Sequence, residues 1–177
     1  MVERSNKQLH DEGVELAIKK LREGGIDLGN RYDLAMTSDG FVVTRLVDQY
    51  KIYGRIRRSK YVARHRWDVT LRSHSYNSTV ETKAIYNRSW GSAYFYAFVD
   101  ESQEQFTGFM YNRCLDVGIW YRRPELIHPK RDGNAEHRNR DGSRLISLDL
   151  RYQPPELVMF SSEPIPWRVG LLNRLAS

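Results

Sequence analysis

The chain has 177 residues, of which 40% are apolar and 28% charged, with a net charge of +6 and a pI near 9.5. This length and composition predict one soluble domain, 1–177, with its own hydrophobic core. No apolar run is long enough to span a bilayer, and residues 1–13 lack the apolar core of a signal peptide, so we expect a cytoplasmic protein without a membrane partner. The single cysteine excludes an internal disulfide and a cysteine-based zinc site. The sequence has no glycine-rich phosphate-binding loop, so we expect no nucleotide cofactor.

Residues 5–23 predict an N-terminal helix that ends at Gly24-Gly25, with an apolar stripe of Val14, Ala17, Ile18 and Leu21. Residues 26–40 have the composition of a loop. The β-branched and apolar segments predict strands at Phe41–Val47, Ala93–Val99, Phe106–Tyr111 and Leu145–Tyr152. The second of these is the most apolar run of the chain, which predicts a central strand buried on both faces. The four prolines between 154 and 166 predict a C-terminal tail with little regular structure.

The stretch Trp67–Tyr86 reads as a β-hairpin whose arms are Tyr61–Leu71 and Thr79–Tyr86. Apolar and polar residues alternate along the end of the first arm and along the second arm, and a polar turn separates the two arms. If the two arms pair antiparallel in one of the two possible kinds of register, three charged residues lie on a single face: Asp68, Glu81 and Lys83.

A strongly basic run precedes this stretch and overlaps it. Between Lys51 and Arg72 there are eight lysines or arginines and one acid, Asp68, and tyrosines and a tryptophan are interleaved among them. Arginine mixed with aromatic residues suits phosphates and bases, so the run predicts a nucleic-acid contact. The candidate residues are Arg55, Arg57, Arg58, Lys60, Arg64 and Arg66.

Residues 122–144 predict a long basic loop. The segment has two Asp-Gly pairs, two prolines and seven lysines or arginines. A loop of this length in a compact domain is either disordered or used for binding, and here it is suited to wrap the backbone of a ligand. The candidate contacts are Lys130, Arg131, Arg138 and Arg140.

Asp68, followed on the next predicted strand by Glu81-Thr82-Lys83, resembles the metal site of the PD-(D/E)xK nuclease superfamily, which includes restriction endonucleases, junction resolvases and some homing endonucleases. Trp67 stands where the motif has proline. The resemblance implies an α+β, restriction-endonuclease-like core with a mixed, largely antiparallel sheet and an N-terminal helix. The family also places a helix between the Glu-x-Lys strand and the next strand, whereas only residues 87–92 separate the two predicted strands here.

The implied activity is metal-dependent cleavage of DNA, of the restriction or homing type. Two carboxylates, Asp68 and Glu81, would hold Mg²⁺ or Mn²⁺, and Lys83 would orient or deprotonate the attacking water. A single small subunit of this kind needs a second copy to cut both strands, so we expect a homodimer.

Other interpretations stay open at this point. Glu81 and Lys83 could be the exposed face of an edge hairpin, with Asp68 paired to Arg66 or Arg72. The basic segments 51–66 and 122–144 could serve a non-enzymatic nucleic-acid-binding module. A third possibility is a metal-free enzyme that excises bases or cleaves RNA with tyrosine, histidine and arginine side chains.

Overall fold

The computed structural model describes residues 6–37, 40–74, 80–102 and 105–168. Its elements, in chain order, are α1 Asn6–Glu23, β1 Tyr32–Thr37, β2 Gly40–Arg45, β3 Tyr50–Arg57, α2 Val62–His65, β4 Asp68–His74, α3 Glu81–Tyr86, β5 Ala93–Ser102, β6 Gln105–Asp116, α4 Val117–Arg122, β7 Asn134–Arg138, β8 Arg144–Asp149 and β9 Val158–Ser161. Short 3-10 helices lie at Ser59–Tyr61, Pro124–Ile127, Leu150–Tyr152 and Pro155–Leu157. The protein is therefore α+β, as expected.

The chain folds into two compact units, each assembled from separate stretches of sequence. The first unit is drawn from residues 1–66, 92–115 and 158–163, and the second from 67–91, 116–157 and 164–177. The prediction of a single domain is not tested by this division.

The first unit contains a six-stranded mixed sheet with the order β1-β2-β3-β5-β6-β9. β1, β2 and β3 form an antiparallel meander, and β5 then runs parallel to β3. A parallel neighbour requires a long connection, and here the chain leaves the first unit after Arg66 and returns to it at Ser92.

The predicted N-terminal helix is confirmed, and it covers one face of this sheet. Its stripe is buried in one core with sheet residues that include Phe41, Ile52 and Phe95. The Phe95 ring lies 6.2 Å from Phe41 and 5.8 Å from Phe109, between centroids. Full burial of each such side chain contributes about 1.5–3 kcal/mol, so this core accounts for much of the unit's stability. The prediction that 93–99 is a strand buried on both faces is also confirmed, because each of these residues is at most 1% exposed.

The second unit contains a three-stranded antiparallel sheet with the order β4-β8-β7. One face of it is apolar: Val69 and Leu71 on β4 lie opposite Leu148 and Ile146 on β8, and all four are buried. The predicted strand 145–152 is confirmed as β8, which ends at Asp149.

The predicted hairpin is wrong. Residues 59–65 form short helical turns rather than the start of a strand, and Glu81–Tyr86 is a helix rather than the second arm. Thr82 and Ile85 are its buried residues, a spacing of three that suits a helix as well as the alternation suits a strand. β4 instead pairs with β8, far away in sequence. The predicted turn 74–78 lies mostly outside the described residues.

Two loop predictions are corrected as well. The segment 122–144 carries a 3-10 turn and the strand β7, which takes the outer position beside β8. β1 lies within the predicted loop 26–40, and β9 within the predicted irregular tail. Each of these strands pairs with a strand that is distant along the chain or lies beyond a turn. The composition of a segment does not reveal such a pairing. Within the described ranges, no helix is both long and apolar enough to cross a membrane.

Candidate functional site

The second face of the β4-β8-β7 sheet is polar and mostly buried. Asp68, Thr70 and Arg72 alternate with the apolar residues of β4, and their partners on β8 include Asp149 and Ser147. Thr70, Ser147 and Asp149 are only 5%, 3% and 8% exposed. Buried polar groups are costly unless they are hydrogen-bonded, so this face is a specific polar arrangement rather than a solvated surface.

Two carboxylates face each other on this surface. Asp68 and Asp149 are directly opposed in the β4–β8 register, a position that places Cβ atoms about 4.5–5.5 Å apart. The Ser147 hydroxyl donates a hydrogen bond to Asp68 Oδ2 at 2.7 Å. Like charges directly opposite each other destabilise a sheet, so the pair needs a compensating charge.

Arg151 supplies that charge. Its Nε lies 2.9 Å from Asp149 Oδ1 and its Nη2 2.6 Å from Oδ2, and its backbone N–H donates to Oδ1 at 3.0 Å. The hydrogen bond to Asp149 raises the pKa of Arg151 above its ordinary value, and Asp68 adds a smaller effect in the same direction. The Asp149 carboxylate is therefore held in an ion pair with a fixed guanidinium.

Glu81, the first residue of α3, contacts the far end of β4. Its Oε2 accepts a hydrogen bond from the backbone N–H of Arg72 at 2.6 Å, and the Thr82 hydroxyl donates to the Arg72 carbonyl at 3.4 Å. These contacts attach the first turn of α3 to the end of β4. Because Arg72 follows Asp68 by four residues, the two Cα atoms are about 13 Å apart along an extended strand.

The structure therefore does not bring together the three predicted catalytic residues. A single Mg²⁺ takes its ligands at about 2.1 Å, which Asp68 and Glu81 do not satisfy jointly from these positions. Lys83 is exposed on α3 rather than on a sheet face. The catalytic assignment of Asp68, Glu81 and Lys83 stays a prediction, but its geometric premise, a shared sheet face, is absent.

The Asp68–Asp149 pair offers a different donor set for a divalent cation. Its carboxylate oxygens, with the Ser147 hydroxyl beside them, are hard ligands of the kind Mg²⁺ prefers. Among the described residues, no three or more His, Cys, Asp or Glu side chains are grouped to hold a metal. Mg²⁺ commonly uses one or two carboxylates and completes its shell with water and phosphate oxygens, so this donor set fits. A cation at Asp149 would compete with Arg151 for the same oxygens.

The predicted basic run of the first unit divides into buried and exposed residues. Arg55 is 5% exposed on β3, opposite Tyr96 of β5. The guanidinium of Arg57 lies 4.8 Å from the centre of the Tyr61 ring. These positions place Arg55 and Arg57 within the packing of the unit.

Three further candidates of that run are exposed: Lys60, Arg64 and Arg66. Lys60 and Arg64 lie on the helical turns between β3 and β4, whereas Arg58 is half-buried. Arg66 is solvent-accessible but its guanidinium is engaged, because it contacts the carboxylate of Glu163 and lies 4.5 Å from the centre of the Tyr111 ring. Lys60 and Arg64 are therefore the residues of this run best placed to meet a phosphate.

The turn between β7 and β8 is a basic tip. Arg138 and Arg144 are directly opposed, and Arg144 in turn lies opposite His74 of β4. All three are exposed, as are Arg140 in the turn and Lys130 before β7, while Arg131 is half-buried. A carboxylate oxygen of Glu136 lies 3.8 Å from Arg144. The directly opposed guanidiniums of Arg138 and Arg144 are unfavourable by themselves and favour an anionic partner.

Several residues of this second unit were not among the sequence-based candidates. The alternation predicts a strand that includes Asp149, Ser147 and Arg151, and two of them lie on β8, with Arg151 just after it. Their position opposite Asp68 was not readable, because register depends on the pairing of segments far apart in sequence.

Comparisons with protein-family models, with curated proteins and with solved structures find no match to this chain.

Proposed function

We propose that the protein is a metal-dependent endonuclease that hydrolyses DNA phosphodiester bonds, of the restriction or homing type, with Asp68 and Asp149 as the metal-binding carboxylates. The observation that carries the proposal is the directly opposed pair of carboxylates on a buried polar sheet face, next to a buried hydroxyl. The net positive charge and the exposed arginines of the β7–β8 tip supply attraction for a polyanion.

Each side chain of the site has a separate task in this proposal. A bound Mg²⁺ would polarise the scissile phosphate and lower the pKa of a coordinated water. Ser147 fixes the orientation of the Asp68 carboxylate by its hydrogen bond. Arg151, already charged and held by Asp149, is suited to stabilise negative charge on a phosphate.

The proposed finer fold is a restriction-endonuclease-like arrangement of the first unit, whereas the proposed metal ligands Asp68 and Asp149 belong to the second unit. The support for this arrangement is the antiparallel meander β1-β2-β3, followed through a long connection by a strand parallel to β3, with α1 packed on the sheet. We also propose a homodimer, because one site cuts one strand at a time.

The test is cleavage of supercoiled plasmid and of mixed genomic DNA with Mg²⁺ or Mn²⁺, with and without EDTA. We expect Asp68→Asn and Asp149→Asn to lower the rate by roughly 10²-fold or more, because each removes a ligand charge. Glu81→Gln and Lys83→Ala should stay within a few-fold of the unmodified protein. Glu125→Gln is the matched control, since this exposed carboxylate lies in the 3-10 turn Pro124–Ile127, outside both the carboxylate pair and the β7–β8 tip.

The variants also separate the two candidate sites. Loss of cleavage in Glu81→Gln and Lys83→Ala, with cleavage retained in Asp149→Asn, would favour the residues predicted from the sequence over the opposed pair. Absence of cleavage with every metal, while DNA is still bound, would leave the protein a binding module.

The binding module is the second candidate, and one contact favours it. Both oxygens of Asp149 already accept hydrogen bonds from Arg151, so this carboxylate has a compensating charge without a metal. In this case the opposed cations of the β7–β8 tip carry the function. Replacing Arg138, Arg140 or Arg144 by alanine should each reduce the slope of log K against log salt by about one, measured by fluorescence anisotropy.

A further inference from the structure

β1 forms one edge of the six-stranded sheet. It pairs with β2 along its whole length, from Tyr32 to Thr37, without a register shift. Its other edge is paired with no strand in the described part of the chain. Residues 33–37 are all exposed.

This edge lacks the features that usually prevent strand addition. Natural edge strands are shortened, bulged, or protected by lysine or proline. β1 reads YDLAMT, has no lysine or proline, and carries one charge, at Asp33. Leu34 and Met36 are 45% and 47% exposed. An open, regular and partly apolar edge is the kind of surface to which another strand adds.

The two apolar side chains lie on the same face of the sheet. Leu34 is opposite Val43, and Met36 is opposite Phe41. Val43 and Phe41 belong to the core under α1, which packs mainly on β3 and β5. Leu34 and Met36 therefore extend that apolar face outward, past the part that the helix covers.

We propose that β1 is the interface of a homodimer, in which a second copy of this chain adds its own β1 antiparallel to the first. A two-fold axis perpendicular to the sheet at Ala35 sets Leu34 of each copy opposite Met36 of the other, and Asp33 opposite Thr37. The apolar residues then meet twice, and no like charges oppose each other. An axis at Asp33 would instead oppose two carboxylates, which is destabilising.

The two six-stranded sheets would join into one continuous sheet through an isologous interface. A single pair of six-residue strands buries less surface than a standard interface, so we expect a dissociation constant on the order of micromolar. This proposal rests on the proposed function in one respect: it identifies the surface of the dimer that double-strand cleavage requires.

The experiment is sedimentation equilibrium of the full chain without DNA, from about 1 to 100 µM. The unmodified protein should be a dimer at the upper end of this range. Leu34→Lys and Met36→Lys should weaken dimerisation by roughly tenfold or more, because lysine on an edge opposes strand addition. Val47→Lys is the matched control: it makes the same kind of change at an 85% exposed apolar residue in the β2–β3 turn, and should leave the dimer intact.

A second measurement uses the plasmid. If the protein cleaves DNA, Leu34→Lys should still nick one strand but lose linear product, so the ratio of nicked to linear DNA should rise at least tenfold. A monomeric unmodified protein at about 100 µM would overturn the proposed interface, and so would a dimer whose affinity is the same in both lysine variants. Because mass is measured without DNA, a dimer that fails to cut refutes only the nuclease proposal, and a monomer that cuts refutes only the interface.

Discussion

Replacement of Glu163 by glutamine tests the buried charge network of the first unit. Arg113 is 0% exposed; its Nη2 donates to the Arg66 carbonyl at 2.7 Å and lies 3.6 Å from Glu163 Oε1. The same carboxylate accepts hydrogen bonds from the guanidinium of Arg66, with Nε 3.1 Å from Oε2. One carboxylate thus compensates a fully buried cation and holds a second, exposed one.

The expected loss follows from this difference in burial. Removing the partner of a buried charge costs about 3–5 kcal/mol, whereas an exposed ion pair contributes about 0–1 kcal/mol. The Glu163 side chain is 11% exposed and lies 3.6 Å from Arg113, which is longer than a hydrogen-bonded ion pair. We therefore expect Glu163→Gln to lower the free energy of unfolding by about 3 kcal/mol, the lower end of this range. That is a large fraction of the 5–15 kcal/mol typical of a domain.

The assay is urea unfolding followed by two signals. All four tryptophans, at 67, 90, 120 and 167, belong to the second unit, so their fluorescence reports on that unit. Far-UV circular dichroism also includes α1 and the six-stranded sheet. We expect the Glu163→Gln midpoint by circular dichroism to fall clearly, and Glu23→Gln, which removes an exposed carboxylate of α1, to change it little.

A Glu163→Gln protein whose unfolding free energy stays within about 1 kcal/mol of the unmodified value would contradict this expectation, because the buried Arg113 guanidinium would then not depend on the Glu163 carboxylate. Arg66→Ala provides a further check. It should lower the unfolding midpoint much less than Glu163→Gln does, because the exposed member of the network is the one removed.

Three smaller changes test other contacts. Tyr121→Phe should lower the free energy of unfolding, measured by thermal unfolding, by about 1–3 kcal/mol. The phenol hydroxyl accepts a hydrogen bond from the N–H of Gly91 at 2.9 Å and donates one to the carbonyl of Gly91 at 2.5 Å. Gly40→Ala should prevent stable folding, judged by circular dichroism, because its Cβ would lie 1.8 Å from a carbonyl oxygen of β3. Hydrogen bonds from Ser143 hold the pKa of Asp141 below its ordinary value, so the turn is stabilised above about pH 4 and loses this contribution as the pH falls through the lowered pKa. In a carboxyl NMR titration, Ser143→Ala should raise the Asp141 midpoint, and an unchanged midpoint would contradict the assignment.

The elements that the sequence predicted correctly are those with a long or one-sided pattern. The stripe of α1 extends over about two turns, and 93–99 is apolar throughout, so each pattern has one structural solution. The alternation in β4 and β8 likewise identified which side chains face the core. Periodicity indicates which face of a segment is buried, and the pattern that carries this information lies within the segment itself.

The candidate site depended on information of a different kind. The six residues of α3 fit both periods, and contacts with the end of β4 make them a helix, which moves Glu81 and Lys83 away from Asp68. Asp149 faces Asp68 only because β8 pairs with β4 in one register. The sequence shows eight lysines or arginines between 51 and 72, but it does not distinguish buried Arg55 from exposed Lys60.

The α+β class, the helix α1, the central strand β5 and the excess of positive charge follow from the sequence. Which strands pair, which carboxylates meet and which arginines reach solvent depend on the three-dimensional packing. The physical reason is that side-chain periodicity is set within a few residues, whereas pairing and register are set by the packing of segments that lie far apart in the chain.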